Sequence, residues 1–121
     1  MENLIIRDIQ YQDYNDYFNL MVESSSKSEF ILSDREFRYY LDQMKYNRLS
    51  KILVIYSITE NKIIGSGSIF KLNKINKYHI GYIDDIIISD RYKDFNLNEL
   101  LINKLSESGV NELGCTYINV I

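Results

Sequence analysis

The sequence predicts an α/β layer sandwich, in which helices flank a mixed, mostly antiparallel sheet. Two observations indicate this class: short β-branched runs and helically spaced apolar residues follow each other in the order β-α-α-β-β-β-α-β, and the middle strands read as a hairpin. A helix between the last two strands implies one parallel β-α-β crossover. The 121 residues leave room for a single domain, residues 1–121.

The first half of the chain supplies one strand and two helices. Leu4–Arg7 is short and β-rich, and Tyr14–Val22 has apolar residues at helical spacing. Ser33 followed by Glu36 forms a capping box, which predicts a second helix from about Asp34 to Asn47. The second helix is expected to bury four side chains, Phe37, Tyr40, Leu41 and Met44.

The central segment predicts three strands. Ile52–Tyr56 is almost continuously β-branched, and Ile63–Phe70 alternates Gly and Ser with apolar residues, so that with the turn residues Glu60 to Lys62 between them they form a hairpin. Lys71–Lys77 is a polar connection. Gly81–Ser89 is the strongest strand, and its centre is apolar on both faces, as in a buried strand.

The last segment predicts the crossover helix and a closing strand. Leucines at helical spacing indicate a helix over Asn96–Leu105, with Gly109 as a C-cap signal. Thr116–Ile121 is a final short strand.

Composition excludes several function classes. A formal charge of -3 argues against nucleic-acid partners, which need clustered Lys and Arg. One Cys and one His do not suffice for a tetrahedral zinc site of the usual kind, so no metal is expected. The apolar runs are too short to span a bilayer, and the amino terminus does not begin like a leader, so a cytoplasmic protein without a membrane partner is expected.

The strand Gly81 to Asp90 resembles the central strand of the glucosamine 6-phosphate N-acetyltransferases, a family of the GNAT superfamily in which a Glu-Asp pair precedes an apolar run. Here Asp84 and Asp85 precede Ile86, Ile87 and Ile88. The similarity extends over nearly the whole chain, including the amino-terminal Leu-Ile-Ile-Arg and the lengths between elements. It implies the GNAT-type three-layer sandwich.

The resemblance also implies a reaction: acetyl transfer from acetyl-CoA to the amine of glucosamine 6-phosphate, by direct attack, in UDP-N-acetylglucosamine synthesis. In that family the pantetheine arm of acetyl-CoA lies beside the central strand like an added strand, which assigns Ile86, Ile87 and Ile88 to cofactor binding and the amides around Ile86 and Ile87 to the thioester oxygen. The alternative is that this is only a buried core strand.

The family holds the cofactor pyrophosphate on a glycine-containing loop that opens the next helix. The matching positions carry Asp94 for the first glycine and Asn98 for the second. An Asp about 5 Å from a phosphate, at an effective dielectric near 20, costs roughly 3 kcal/mol, or about a hundredfold in affinity. The residues assigned to cofactor phosphate binding are Lys93, Asp94, Phe95, Asn96, Leu97 and Asn98.

On the acceptor side, Asp84 and Asp85 are the candidate catalytic and substrate-binding residues. Alternation along a strand predicts that they face opposite sides, so that one carboxylate enters the acceptor site and takes the proton of the amine. The alternative is a solvated strand edge. Lys74 is the candidate contact for the sugar phosphate, and its alternative is an ordinary solvated loop lysine.

The family continues past the strand that ends here at Ile121, so the usual carboxyl-terminal strand is expected to be missing. An open sheet edge favours pairing with a second copy, which predicts a homodimer. Two alternative functions stay open: a GNAT domain without catalysis that serves in binding or assembly, and a GNAT enzyme for another small amine.

Overall fold

The predicted order of strands and helices is confirmed. A computed structural model describes residues 3–25, 31–75 and 78–121 of the chain. Two 3-10 turns, Tyr11–Asp13 and Asp90–Phe95, precede the first and third helices. None of the helices in these ranges is both long and apolar enough to cross a bilayer. The strands are β1 Leu4–Asp8, β2 Ser50–Ser57, β3 Lys62–Asn73, β4 His79–Ile88 and β5 Tyr117–Val120, and the helices are α1 Tyr14–Ser25, α2 Asp34–Asn47 and α3 Leu97–Asn111.

The sheet has five strands in the order β1-β2-β3-β4-β5. Neighbours pair antiparallel except β4 and β5, which are parallel and joined through α3, as predicted. Apolar side chains from alternate strand positions form one core under α1 and α2 and another under α3. The three-layer sandwich is therefore confirmed.

The capping box of α2 forms as predicted. The Ser33 hydroxyl accepts from the Glu36 amide at 3.1 Å, and the Glu36 carboxylate accepts from the Ser33 amide at 3.0 Å. Phe37 and Leu41 are buried, but Tyr40 is 41% exposed, so its predicted burial is wrong. The helix stripe that faces the sheet is narrower than its apolar composition suggests.

Two predicted boundaries are wrong in ways that matter for the core. β3 continues through Asn73, so the segment Lys71 to Asn73 belongs to a strand and pairs with β4. α3 continues past Gly109, which is not a C-cap. A Cβ at Gly109 would lie 2.6 Å from Ile69 and 2.9 Å from Ile118, so this glycine permits the helix to pack closely on the sheet.

A β-bulge interrupts β4 midway along the sheet. Ser68 pairs with Asp84 and Ser66 with Ile87, so that two residues of β4 lie opposite the single residue Gly67. Asp85 takes the left-handed conformation there, with φ 56°. The bulge divides β4 into two parts: Ile80 to Ile83, which pair with β5, and the residues after Asp85, which do not.

Candidate functional site

Beyond the bulge, no strand of the described residues pairs with one edge of β4. β5 pairs only with Ile80 to Ile83, and the last contact is the Ile121 amide, which donates to the Ile83 carbonyl at 2.9 Å. The Ser89 amide donates to the Ile64 carbonyl of β3 at 2.8 Å. Because alternate residues direct their backbone groups to opposite edges of a strand, the amide and carbonyl of Ile88 point to the open edge. Unpaired backbone groups of this kind can receive an extended ligand.

A cleft of about 490 Å³ follows this open edge to the start of α3. Of the residues predicted to hold the cofactor, all but Asp94 and Phe95 line it, although their role stays a prediction. Phe95 packs on Tyr92 instead, with ring centroids 5.7 Å apart. The lining residues are Ile86, Ile87, Ile88, Lys93, Asn96, Leu97, Asn98 and Glu99.

The turn that leads into α3 needs one residue with positive φ, and that residue is Asn96 at φ 56°. The sequence analysis matched the first glycine position to Asp94, but the residue with positive φ is Asn96, and Asp94 does not line the cleft. Asn tolerates left-handed backbone better than most residues.

The charge of the cleft is mixed. The side chain of the N-cap residue Asn96 makes no capping hydrogen bond to the first turn of α3, which leaves the amides of that turn and the positive end of the helix dipole suited to an anion. Lys93 adds a positive charge, but it forms an ion pair with Asp90 at 2.8 Å, and this hydrogen bond raises the pKa of Lys93. Glu99 adds a negative charge that the sequence analysis missed, because its place on the cleft follows only from the register of α3.

The bulge brings Asp84 and Asp85 together differently from simple strand alternation. Ile83 and Ile86 both pack against the α3 core although they are three residues apart, so simple alternation does not hold across the two acids, and their predicted opposite orientation stays a prediction. The Asp85 amide donates to the Asp84 carboxylate at 2.7 Å. Partial burial, and then the charge of Asp84, raise the pKa of Asp85.

Tyr17 of α1 lies beside this acid pair. Burial raises the pKa of Tyr17 to about 12, and the negative charge of Asp85 adds to the effect. The Asp85 carboxylate therefore faces the side of the sheet that α1 and α2 cover. A carboxylate with a raised pKa next to the open end of β4 is suited to accept a proton from a bound amine.

Lys74 lies elsewhere. It follows β3 at the end where β4 begins, and its amide donates to the Tyr78 carbonyl at 3.1 Å. Asp84 follows Tyr78 by six residues along β4. At about 3.3 Å per residue, Lys74 and Asp84 are therefore roughly 20 Å apart. Lys74 therefore does not reach a small substrate that contacts Asp84 or Asp85 of the same chain.

A larger cavity, of about 680 Å³, lies at the opposite end of the sheet. It is formed where β2 begins and α3 ends. Its half-buried cation, Lys51, forms ion pairs with Asp8 at 3.1 Å and with Glu112 at 2.6 Å. Unlike the cleft, this cavity does not contact the open edge of β4, so its size alone does not make it the stronger candidate.

Comparisons with known proteins agree with this geometry. A model of the acetyltransferase (GNAT) family matches residues 10–121. Comparison with curated protein sequences finds no match. Among solved structures, glucosamine-6-phosphate N-acetyltransferase from Arabidopsis thaliana has a TM-score of 0.82 at 22% identity, with 99% of this chain and 82% of that chain covered.

Two further structures share the fold. An acetyltransferase from Trypanosoma brucei has a TM-score of 0.80 at 21% identity, over 98% of this chain and 82% of that one. A predicted acetyltransferase from Clostridium acetobutylicum, solved with acetyl-CoA, has a TM-score of 0.69 at 16% identity, over 98% of this chain and 80% of that one.

Proposed function

This chain belongs to the acetyltransferase (GNAT) family, and we propose that it transfers an acetyl group from acetyl-CoA to the amine of glucosamine 6-phosphate. The observation that carries the proposal is the bulge in β4. It places an open strand edge at Ile86 to Ile88 directly after Asp85, whose pKa is raised. The proposed binding edge for the acyl donor, Ile86 to Ile88, and the proposed proton acceptor, Asp85, are thus adjacent in one strand.

The cleft residues fit the two ends of acetyl-CoA. The open backbone edge at Ile86 to Ile88 can form hydrogen bonds with the amides of the pantetheine arm, as in β-augmentation by an added strand. The uncapped first turn of α3, with Asn96, Asn98 and Lys93 around it, suits the pyrophosphate. When bound, acetyl-CoA supplies an activated acetyl group as a thioester.

On the other side of β4, the acid pair holds the amine. The Asp85 carboxylate accepts the proton that the nitrogen loses as the new carbon–nitrogen bond forms and the carbon–sulfur bond breaks. Asp84 raises the proton affinity of Asp85, because two neighbouring negative charges oppose ionisation. No covalent enzyme intermediate is needed for direct attack.

The choice of glucosamine 6-phosphate rests on the resemblance of the strand from Gly81 to Ile88 and on the fold shared with the Arabidopsis enzyme. A phosphate contact from Lys74 requires a second copy of the chain, because Lys74 lies too far from its own Asp84. We therefore include a homodimer in the proposal, supported by the exposed Tyr117 and Val120 on the edge strand β5. A cytoplasmic role in UDP-N-acetylglucosamine synthesis belongs to the same proposal.

The experiment that tests the function follows release of free CoA from acetyl-CoA with a thiol reagent. We expect release to depend on glucosamine 6-phosphate and to be lost in Asp85→Asn. Glucosamine without the phosphate, and a panel of other small amines, serve as alternative acceptors. Release with another amine but not with the sugar phosphate would keep the enzyme and replace its substrate.

Calorimetric titration with acetyl-CoA separates catalysis from binding. We expect the wild-type chain to bind acetyl-CoA in the absence of acceptor. A chain that neither releases CoA nor binds acetyl-CoA would not be an acetyltransferase, and a role in binding or assembly would replace the proposal. Lys74→Ala is the variant for the dimer: it is expected to raise KM for the sugar phosphate and to leave KM for acetyl-CoA unchanged.

A further inference from the structure

Glu60, in the turn between β2 and β3, has both carboxylate oxygens engaged by the segment that precedes α3. Arg91 donates to one oxygen at 2.8 Å, and the Tyr92 hydroxyl donates to the other. Lys62 lies 3.7 Å from the same carboxylate. The Glu60 side chain is only 15% exposed, and its contact with Tyr92 is partly buried, whereas the Arg91 side chain is 71% exposed. Hydrogen bonds to a charged group are stronger than those between neutral groups.

The turn that carries Glu60 is itself fixed. The Glu60 amide donates to the hydroxyl of Ser57 at 3.1 Å, and Ser57 is fully buried. Asn61 takes the left-handed conformation at φ 56°, and its side chain accepts a hydrogen bond from the Tyr56 hydroxyl. The carboxylate is therefore presented from a rigid hairpin rather than from a loose loop.

The segment that Glu60 contacts leads directly to the cleft. Tyr92 is 5% exposed and belongs to the core under α3, and its ring packs on Phe95. Asn96 follows with its left-handed backbone, and the cleft lining begins around it. The position of Tyr92 thus sets where the first turn of α3 begins.

We propose that Glu60 is a positioning residue for the cofactor-binding turn: by holding Arg91 and Tyr92 it fixes the backbone of the segment from Asp90 to Asn96. Neither Glu60 nor Arg91 lines the cleft, so Glu60 acts through the turn and not by contact with a ligand. This inference rests on the proposed function, because it assigns the turn to the phosphates of acetyl-CoA. It also explains why the most exposed cation of this segment, Arg91, points towards the hairpin and not towards an anion.

The test uses Glu60→Gln, which keeps the shape of the side chain and removes its charge. We expect KM for acetyl-CoA to rise roughly tenfold, because a strong charged contact to the turn is lost, while kcat and KM for the acceptor stay within about twofold. Tyr92→Phe removes one of the two contacts and is expected to raise KM by a smaller factor. The double variant is expected to differ from the product of the two single effects, since both act on one contact.

Hydrogen exchange of the free protein gives a second measurement that does not depend on activity. Amides of residues 90–97 are expected to exchange faster in Glu60→Gln, with the remainder of the chain unchanged. Glu112→Gln is the matched control, because Glu112 also pairs with a cation but at the opposite end of the sheet. It is expected to leave both measurements for the cleft unchanged.

Two results would overturn the inference. One is a wild-type KM for acetyl-CoA in Glu60→Gln, and the other is unchanged exchange over residues 90–97. If the wild-type protein does not bind acetyl-CoA, the proposed function fails, and the exchange measurement alone then decides whether Glu60 holds the turn.

Discussion

The two ends of the sheet each carry a cavity and a group of carboxylates, but they use them differently. At the far end, Asp8 and Glu112 form ion pairs with the half-buried Lys51, and the larger cavity lies beside them. At the cleft end, Asp84 and Asp85 lie next to each other, and neither forms an ion pair with a basic side chain in the described part of the chain. The ion pairs of Lys51 at the far end stabilise the fold, whereas the neighbouring charges of Asp84 and Asp85 cost stability.

This difference supports the cleft as the candidate site better than cavity size does. Like charges held side by side at Asp84 and Asp85, and the left-handed backbone of Asp85 inside a strand, both oppose folding. Such features persist where the surrounding structure holds them in place, and they gather at functional sites. At the far end, β2 and β3 are paired on both edges, and Lys51 lies in ion pairs with two carboxylates.

The largest expected effect is the difference in acetyl-transfer rate between two variants that each remove one charge, one at each end of the sheet. Asp85→Asn is expected to lower the rate of acetyl transfer by about 10² to 10⁴, because the amine loses its proton acceptor. Glu112→Gln is expected to leave that rate unchanged. The measurement is kcat/KM for the acceptor at saturating acetyl-CoA in both variants. Equal losses in the two variants would break the contrast between the ends.

The pH dependence has a definite sign. The pKa of Asp85 is raised, so the active ionised form is lost earlier on acidification than for an ordinary Asp, and the wild-type rate is expected to fall as pH falls through that pKa. The same raised pKa means that ionised Asp85 destabilises the fold at neutral pH. Asp85→Asn is therefore expected to raise Tm slightly, by about 1–2 °C at pH 7, with no gain below the ordinary Asp pKa of about 4.

The second effect concerns Asn96. Asn96→Val places a β-branched residue in left-handed backbone and is expected to cost about 1–2 kcal/mol of stability, with a loss of affinity for acetyl-CoA. Asn96→Gly relieves the same backbone and is expected to gain stability. Chemical unfolding and calorimetry of both variants test this. A wild-type free energy of unfolding in Asn96→Val would show that the left-handed turn is not needed.

The sequence predicted the frame of the site but not its fine geometry. Residue types and periods were enough for the strand order and for the capping box at Ser33, because these depend on local preferences and on burial. The bulge at Asp85 depends on a register shift against Gly67, where a Cβ would meet Ile86 at 2.6 Å. That contact is between distant segments, so no local pattern reports it.

The phosphate turn shows the same limit. The family motif matched its first glycine to Asp94, whereas the residue with positive φ is Asn96. The 3-10 turn from Asp90 to Phe95 lies between the strand and α3, and α3 begins only at Leu97. Glu60 was read only as a turn residue, since its partners Arg91 and Tyr92 are about thirty positions away. Contacts across such separations become visible only in the folded chain.

A third effect tests the far end by itself. The hydrogen bond from Lys51 lowers the pKa of Glu112, so this pair contributes stability above the ordinary Glu pKa and loses it as pH falls through the lowered value. Glu112→Gln is expected to lower the free energy of unfolding by about 0.5–1 kcal/mol at pH 7, a small amount because Glu112 is largely exposed. The difference from wild type is expected to vanish in strongly acidic solution. Thermal unfolding at both pH values measures it.

The smallest effect decides which acid opposes the cofactor phosphates. Glu99 lines the cleft and Asp94 does not, so Glu99→Gln is expected to tighten binding of acetyl-CoA while Asp94→Gly leaves it within error. At a separation of roughly 8 Å and an effective dielectric of about 60, a unit charge costs about 0.7 kcal/mol, or about threefold in affinity. The gain is expected to shrink as salt is added, because the group is exposed and screened. Calorimetry of both variants at two salt concentrations shows which acid lies near the phosphates. Tighter binding in Asp94→Gly alone would assign the phosphate site to the turn before Asn96.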